Sequence, residues 1–430
     1  MSELAEIRRT VLDNGLTVVT REMHHAPAAS FWVWYRVGSR NEWPGVTGIS
    51  HWVEHMLFKG TPAFPQGEFD KAVAREGGVF NGMTWIDFTT FFETLPSDRI
   101  DLALRIESDR MQNAVFDRAE TELERHVIIS ERQGKENDPG FLLSEALQAA
   151  VFQAHPYHHS VIGWQGDLET MTRDQLYQHY RAYYTPNNAV VATTGDFDHG
   201  EMLDKVSTLF GRIARGPALE TRVAQEPVQR GERRVMVEGP GKTSYLEIAY
   251  RAPRATDPEF FPMMILDTIL GGAKGMSLWS GGAPNRSSRL YRALVDRELA
   301  ADVGCGVSPT VDPFLFSISV TVRSGRQLAE VEKAVLVEIQ RVMDEPISEA
   351  ELQKAIKQTR AQFAYSSESV TDQGYWLGAR EIFSDANWFE SFMDELAAVD
   401  VATVQRVARA CFKPGLRNVG WYLPTDGGGE

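Results

Sequence analysis

The sequence predicts an α+β protein of two homologous domains, each a mainly antiparallel sheet with helices packed on one face. Within each half, segments that alternate like strands cluster together and are followed by clustered helical patterns. That is the ordering of an α+β sandwich, not of alternating βαβ units. The second half also repeats landmarks of the first, since Leu168 with Leu396 and Pro186 with Pro414 share one offset of 228 residues. A single long period of this kind indicates a duplicated domain, not a solenoid. At 430 residues the chain is in any case too long for one hydrophobic core.

Taken in order, residues 15–23 and 29–37 read as two opening strands, and residues 48–60 as a helix. Residues 77–94 alternate like strands around a turn, and 98–113 are helical. Residues 117–137 form a long uninterrupted helical pattern with Asp117 as its N-cap. A further helical pattern begins near Asp167 and is closed by Arg181-Ala-Tyr-Tyr-Thr-Pro186, after which 189–194 is strand-like. The segment 212–233 is rich in Arg, Gly, Glu and Pro and lacks sustained periodicity. It sets the expected domains at residues 1–215 and 233–430, joined by a linker at 216–232. In the second half, 300–307 and 314–322 repeat the strand pair and 325–344 the helix. Residues 395–404 then lead to Ala410-Cys-Phe-Lys-Pro414 and the strand-like Asn418-Val-Gly-Trp-Tyr-Leu423.

Composition narrows the function class. Hydrophobic residues at 43% and charged residues at 24% are ordinary for a soluble globular protein. A net charge of −15 argues against general nucleic-acid or anionic-membrane binding and mildly favours basic or neutral partners. Cys305 and Cys411 are the two cysteines, too few for a disulfide framework or a cysteine metal cage. Neither a signal-like start nor an apolar run approaching ~20 residues is visible, so a cytoplasmic protein without a membrane anchor is expected.

The most informative residues lie in Gly48-Ile-Ser-His51-Trp-Val-Glu54-His55-Met-Leu-Phe-Lys-Gly60. On a helix, His51 and His55 stand one turn apart on one face, as a divalent metal requires, with Glu54 beside them. This is the His-x-x-Glu-His inversion of a zinc-peptidase motif. With 10 His in the chain, such a pattern arises by chance in roughly one or two per cent of chains of this size. A histidine pair in the core of an amphipathic helix is the bland alternative. A third ligand is offered by the helix at 117–137. At about 100° per residue, Glu124 and Glu131 share a stripe with Val127 and Ile128, while Glu122, His126 and Glu136 face the opposite side. Glu120 lies near the same stripe, but in the first turn, where a carboxylate complements the helix dipole. A carboxylate among apolar neighbours needs a cation, a metal or donors. A buried ion pair with an arginine competes with the metal reading, which is preferred because the two histidines otherwise lack a third ligand.

These residues resemble the pitrilysin family of inverted-motif zinc metallopeptidases, in particular its two-domain subunits related to the mitochondrial processing peptidase and to bacterial peptidases. Gly78-Val-Phe-Asn81-Gly82-Met-Thr84, with Asp87 and Thr89 beyond, adds to the motif above. Glu124-Arg-His-Val-Ile-Ile-Ser-Glu131, His155-Pro-Tyr157 and Tyr184-Thr-Pro-Asn-Asn188 extend the likeness over nearly the whole chain. The resemblance implies one Zn2+ per chain on His51, His55 and Glu131, with Glu54 catalytic and Glu124 supporting the site. It implies a metal-free C-terminal domain, and a sheet edge at Asn81 and Gly82 to which an extended peptide adds as a strand. From the residues alone, Asn81 reads instead as a turn residue bonding its own backbone. Gly82 stands where the family usually has Ala and Trp85 where a small residue is common, and both bear on the cleft. His155 reads as structural, since three ligands already exist.

The implied activity is endopeptidase hydrolysis of peptides or unfolded segments in an enclosed chamber. A noncatalytic assembly subunit and a presequence-processing peptidase are the competing functions. One departure predicts a partner. Single-chain relatives carry an Arg and a Tyr in a pattern like Leu-Arg-x-x-x-Gly-Leu-Ala-Tyr, which hold substrate and stabilise the oxyanion. Here the matching stretch is Leu294-Val-Asp-Arg-Glu-Leu-Ala-Ala-Asp302, and with one residue fewer before the second position the two become Val295 and Ala301. Neither side chain can donate a hydrogen bond. A heterodimer is therefore expected, in which a homologous second subunit brings the Arg and Tyr. Arg297 is the residue that would instead permit a homodimer. The glycine-rich stretch at 271–282 is not a phosphate-binding loop, because the Gly-Lys-Ser/Thr ending is absent. It reads as a surface loop or, by the resemblance, as a mobile substrate-contacting segment.

Overall fold

The computed structural model describes residues 6–219, 223–275, 286–383 and 388–425. It divides into two compact units. The first contains residues 1–133, 159–224 and 367–382, and the second 134–158, 225–366 and 383–430. The units are thus not separated by a single cut in the chain.

In the first unit, strands β1 (Ile7–Val11), β2 (Thr17–Glu22), β3 (Ala28–Tyr35), β4 (Val79–Thr84), β5 (Thr89–Pro96) and β6 (Ala189–Gly195) form one sheet in the order β1-β2-β6-β3-β5-β4. Only β2 and β6 run parallel. The second unit orders β7 (Arg233–Gly239), β8 (Tyr245–Arg251), β9 (Ala300–Val307), β10 (Leu315–Val322) and β11 (Asn418–Pro424) as β7-β11-β8-β10-β9. Its one parallel pair is β7 with β11. Leaving out β1, the two orders coincide strand for strand, which is the duplication expected from the 228-residue offset.

Helices α1 (Ile49–Leu57), α2 (Glu68–Arg75), α3 (Asp101–Asn113), α4 (Arg118–Glu136), α5 (Pro139–Val151), α6 (Gln165–Thr170), α7 (Arg173–Tyr183) and α8 (His199–Phe210) arise from the first half of the chain. The second half supplies α9 (Phe260–Gly271), α10 (Leu328–Asp344), α11 (Glu349–Tyr365), α12 (Val370–Phe383), α13 (Trp388–Ala398) and α14 (Val401–Cys411). The single helical pattern expected from Asp167 onward is in fact two helices. Thr172 starts α7 with a capping box, its hydroxyl accepting from the Gln175 amide while the Gln175 side chain accepts from the Thr172 amide.

Two helices lie in the unit opposite to their half of the sequence. In the first unit, α12 covers the face of β3 that carries Trp32 and Trp34. Tyr375 meets these rings at 5.9 and 5.2 Å, and Trp32 stacks on Phe92 at 4.3 Å. The approach depends on Gly374 and Gly378, since a Cβ there would sit 2.4 and 2.0 Å from the two indole nitrogens. Phe31, Val33 and Tyr35 alternate onto the other face, where Phe31 meets Phe210 of α8 at 6.0 Å. The second unit mirrors this. There α5 packs on β7, β8 and β11, Ser144 donates to Glu247 at 2.5 Å, and Gly420 leaves room for Leu143. Position 139 plus the repeat offset falls at 367, so the exchanged helices are the equivalent pair of the duplication.

Candidate metal centre

Helix α1 begins at Gly48, whose φ of +87° and proximity to the Ile162 carbonyl exclude a side chain, as an added Cβ would stand 2.4 Å from that oxygen. A glycine cannot cap the helix with its own side chain. Glu42 does so, accepting from the Gly48 amide at 2.7 Å and from the Ser50 amide at 2.9 Å. Burial pushes this carboxyl up to about 8 against those backbone donors. The apolar stripe Ile49, Trp52, Val53, Met56 and Leu57 is buried, which leaves His51 and His55 on the remaining face.

Helix α4 starts where the sequence places it. Asp117 accepts from the amides of Ala119 and Glu120 at 2.8 and 3.1 Å. Two arginines fix its rotation. Arg125 donates to the carbonyls of Leu168 and Met171 and covers the Trp52 ring at 4.8 Å. Two turns on, Arg132 donates to the Gly163 carbonyl at 2.5 Å. With that rotation Glu131 faces α1.

The structure brings His51, His55 and Glu131 together. The two Nε2 atoms are 3.3 Å apart, and Glu131 Oε2 lies 3.8 Å from His51 Nε2 and 3.7 Å from His55 Nε2. Two ligands about 2.1 Å from a tetrahedral zinc are separated by roughly 3.4 Å. The triangle therefore fits one such ion with little adjustment. Among the described residues this is the one group of three or more His, Cys, Asp or Glu with that convergence. The Glu131 side chain remains 34% exposed and those of His51 and His55 13% and 22%, so the centre is open on one side. A ligand set with an open position suits a reactive metal better than a closed structural one.

Glu124 does not join the triangle. Its Oε1 takes the Nδ1 hydrogen of His55 at 2.8 Å, and its Oε2 pairs with Lys59. His55 thereby presents Nε2 as the lone-pair nitrogen, the tautomer a metal requires. Although burial works the other way, His55 and Lys59 hold the Glu124 carboxyl below its usual range. For the His55 ring, burial opposes protonation, but the carboxylates of Glu124, Glu54 and Glu131 together outweigh it and raise the pKa.

Glu54 is 8% exposed, and its Oε2 accepts from Thr84 Oγ1 at 2.9 Å. Burial raises its pKa, with His55 and Thr84 opposing. A carboxylate inclined to hold a proton, beside a metal-ligand triangle, is suited to proton transfer. Asn81 and Gly82 lie outside the cluster, on β4, which pairs with β5 on one side and is the outermost strand of its sheet. The Asn81 side chain accepts from the Gly82 amide at 2.9 Å, the local bond expected from the residues alone. Gly82 has a packing role of its own, because a Cβ would stand 2.8 Å from the tip of Phe58 and 2.9 Å from Phe91. His155 is 5% exposed in the second unit, between the Tyr157 amide at 3.0 Å and Asp312 at 3.1 Å. It is structural.

Val295 ends a helical turn at Tyr291–Val295 and Ala301 lies on β9, so neither position offers a donor side chain. Of the glycine-rich stretch, residues 276–282 lie outside the described residues. The roles of Glu42, Thr84 and Lys59 escape the sequence reading. For Glu42 a signal existed, since a helix starting at glycine needs an acceptor from elsewhere. No described helix is long and apolar enough to cross a membrane.

Comparison with known proteins agrees with this geometry. The family model described as insulinase (peptidase family M16) matches residues 17–164, and that described as peptidase M16 inactive domain matches 170–359. The probable mitochondrial-processing peptidase subunit beta of Arabidopsis thaliana is 26% identical over 94% of this chain and 76% of its own length. An uncharacterized zinc protease of Streptomyces coelicolor is 27% identical over 97% of this chain and 90% of its own. Among solved structures, a protease from Helicobacter pylori superposes with a TM-score of 0.92 at 26% identity, over 98% of this chain and 100% of that one.

Proposed function

The chain belongs to the peptidase M16 family, and from that premise we propose that it is a zinc-dependent endopeptidase whose substrates are peptides or unfolded segments. The observation that carries this reading is the triangle of His51 Nε2, His55 Nε2 and Glu131 Oε2 with Glu54 beside it. We assign the three as zinc ligands, Glu54 as the catalytic residue, and Glu124 as the residue that orients His55. When bound, zinc would polarise the scissile carbonyl and acidify the attacking water.

Glu54 accepts the proton of that water and returns it to the departing amine, while the Thr84 hydroxyl fixes the carboxylate through Oε2. Asn81 and Gly82 belong to the edge strand, where an extended substrate would add by backbone pairing. That mode tolerates varied side chains and suits broad specificity.

The second part of the proposal is a heterodimer with a homologous subunit. Val295 and Ala301 cannot donate to an oxyanion, and loss of one such donor costs ~10²–10³ in turnover. The relative named as a subunit beta is itself one component of a larger peptidase. Size measurement of this chain with and without a co-expressed homologue tests the pairing. Robust activity of the isolated chain would remove the need for a partner and favour Arg297 in a homodimer.

The test of the chemistry is the Glu54→Gln variant. It should bind one zinc per chain as the native protein does, and lose peptide hydrolysis by at least ~10²-fold. Retained turnover would remove Glu54 from the catalytic role, and a native chain without metal would favour a noncatalytic assembly role.

A further inference from the structure

The second unit contains a cleft of about 620 Å³, bounded by the end of α9, residues 287–297, the last turns of α10 and the first turns of α11. It shares no residue with the triangle of His51, His55 and Glu131. Arg289, Arg292, Arg297, Arg341 and Lys354 line it, against two carboxylates, Glu338 and Glu351. On a chain with net charge −15, this is a local excess of three positive charges.

The carboxylates are already engaged. Glu351 takes Nε and Nη2 of Arg289 at 2.8 and 2.7 Å, and Glu338 faces Arg341 at 3.1 Å. Arg292, Arg297 and Lys354 are exposed and, among the described residues, form no ion pair. Cations on a convex helix face need no further explanation, because water solvates them. Here they converge on a concavity. In addition, Nη1 of Arg289 is buried and, among the described residues, has no hydrogen-bond acceptor. A buried donor left unsatisfied is costly, and it is most costly on a charged group.

We propose that this cleft binds a small phosphorylated anion with three or more negative charges, of the size of inorganic triphosphate. Phosphate oxygens match the guanidinium fork and can reach the exposed Arg292, Arg297 and Lys354. A single carboxylate would neutralise only one of the three unpaired cations. The volume lies within the range of small-ligand sites.

Calorimetric titration of the full chain with inorganic triphosphate tests the site. Saturable binding at one site per chain is expected, weakening as salt rises. Arg292→Ala/Arg297→Ala should weaken it by about tenfold or more. Because both side chains are exposed and unpaired, this variant should fold, with an unfolding midpoint like the native chain's. Absence of saturable binding overturns the proposal, as does unchanged affinity in the double variant. Equal affinity for a short polyglutamate peptide overturns the choice of phosphate as the recognised group.

Discussion

Glu124 and His55 are joined by a 2.8 Å hydrogen bond through Nδ1 of the ring, which turns Nε2 toward His51 and Glu131. The bond settles which nitrogen carries the hydrogen before any metal arrives. Glu124→Gln retains the shape and removes the charge, and it lets an amide donor face the ring. Zinc affinity is expected to fall by ~10–100-fold, the usual cost of losing such a partner. Competition with a chromophoric chelator reads this directly. Unaltered affinity would leave Glu124 merely as the counter-ion of Lys59.

The contact of α12 with Trp34 yields a stability prediction. Gly378 belongs to the second half of the sequence yet packs in the first unit, where a Cβ would stand 2.0 Å from the Trp34 nitrogen. Neither the rigid indole nor the sheet beneath it can yield cheaply. Gly378→Ala should therefore destabilise the protein by about 1–3 kcal/mol, even though alanine favours helices. Urea unfolding followed by tryptophan fluorescence should show a lower midpoint, with Trp34 one of the ten tryptophans that report it.

The parts of the site that were legible in the sequence are those set by one helix and its period. His51 and His55 are one turn apart, and Glu124 and Glu131 share a stripe of α4, so spacing alone aligns them. Thr84 carries no such signal. It reaches Glu54 only because β4 and α1 pack together, a consequence of sheet order. The α5/α12 exchange was equally hidden, for Gly374 and Gly378 gain meaning only once Trp32 and Trp34 are known to face them. Strand β7 alternates in exposure along Arg-Arg-Val-Met-Val-Glu-Gly, but its charged ends keep the sequence from reading as a strand. The break between α6 and α7 had a visible mark in Thr172 and Gln175, which an unbroken apolar period obscured.

Arg110 is 1% exposed and lies against Glu107, with its guanidinium 5.1, 4.8 and 4.5 Å from the rings of Phe58, Phe69 and Phe91. Glu93 is buried nearby, and its carboxyl is held well above the usual range by burial and then by Glu107. One cation thus serves two buried acids. Arg110→Met keeps much of the volume and leaves those acids without it. The expected loss is about 3–5 kcal/mol in chemical denaturation. Adding Glu107→Gln to the variant should recover part of that loss, whereas a purely steric effect of Met would not be relieved.

His179 supplies a pH dependence whose sign follows from its burial. It is 4% exposed on α7, with Nε2 3.3 Å from Ser50 Oγ. Burial lowers its pKa from 6.5 to about 3. The folded state therefore holds the ring neutral, while the unfolded chain takes up a proton near 6.5. Its contribution to stability is complete above that value and is lost as pH falls toward 3, at up to ~1.4 kcal/mol per pH unit for one proton. His179→Gln keeps a hydrogen-bonding group and cannot titrate. Unfolding free energies measured from pH 7 to pH 4 should fall less steeply for the variant, by as much as one proton's slope. Parallel curves would mean that His179 is protonated in the native state and that acid acts elsewhere.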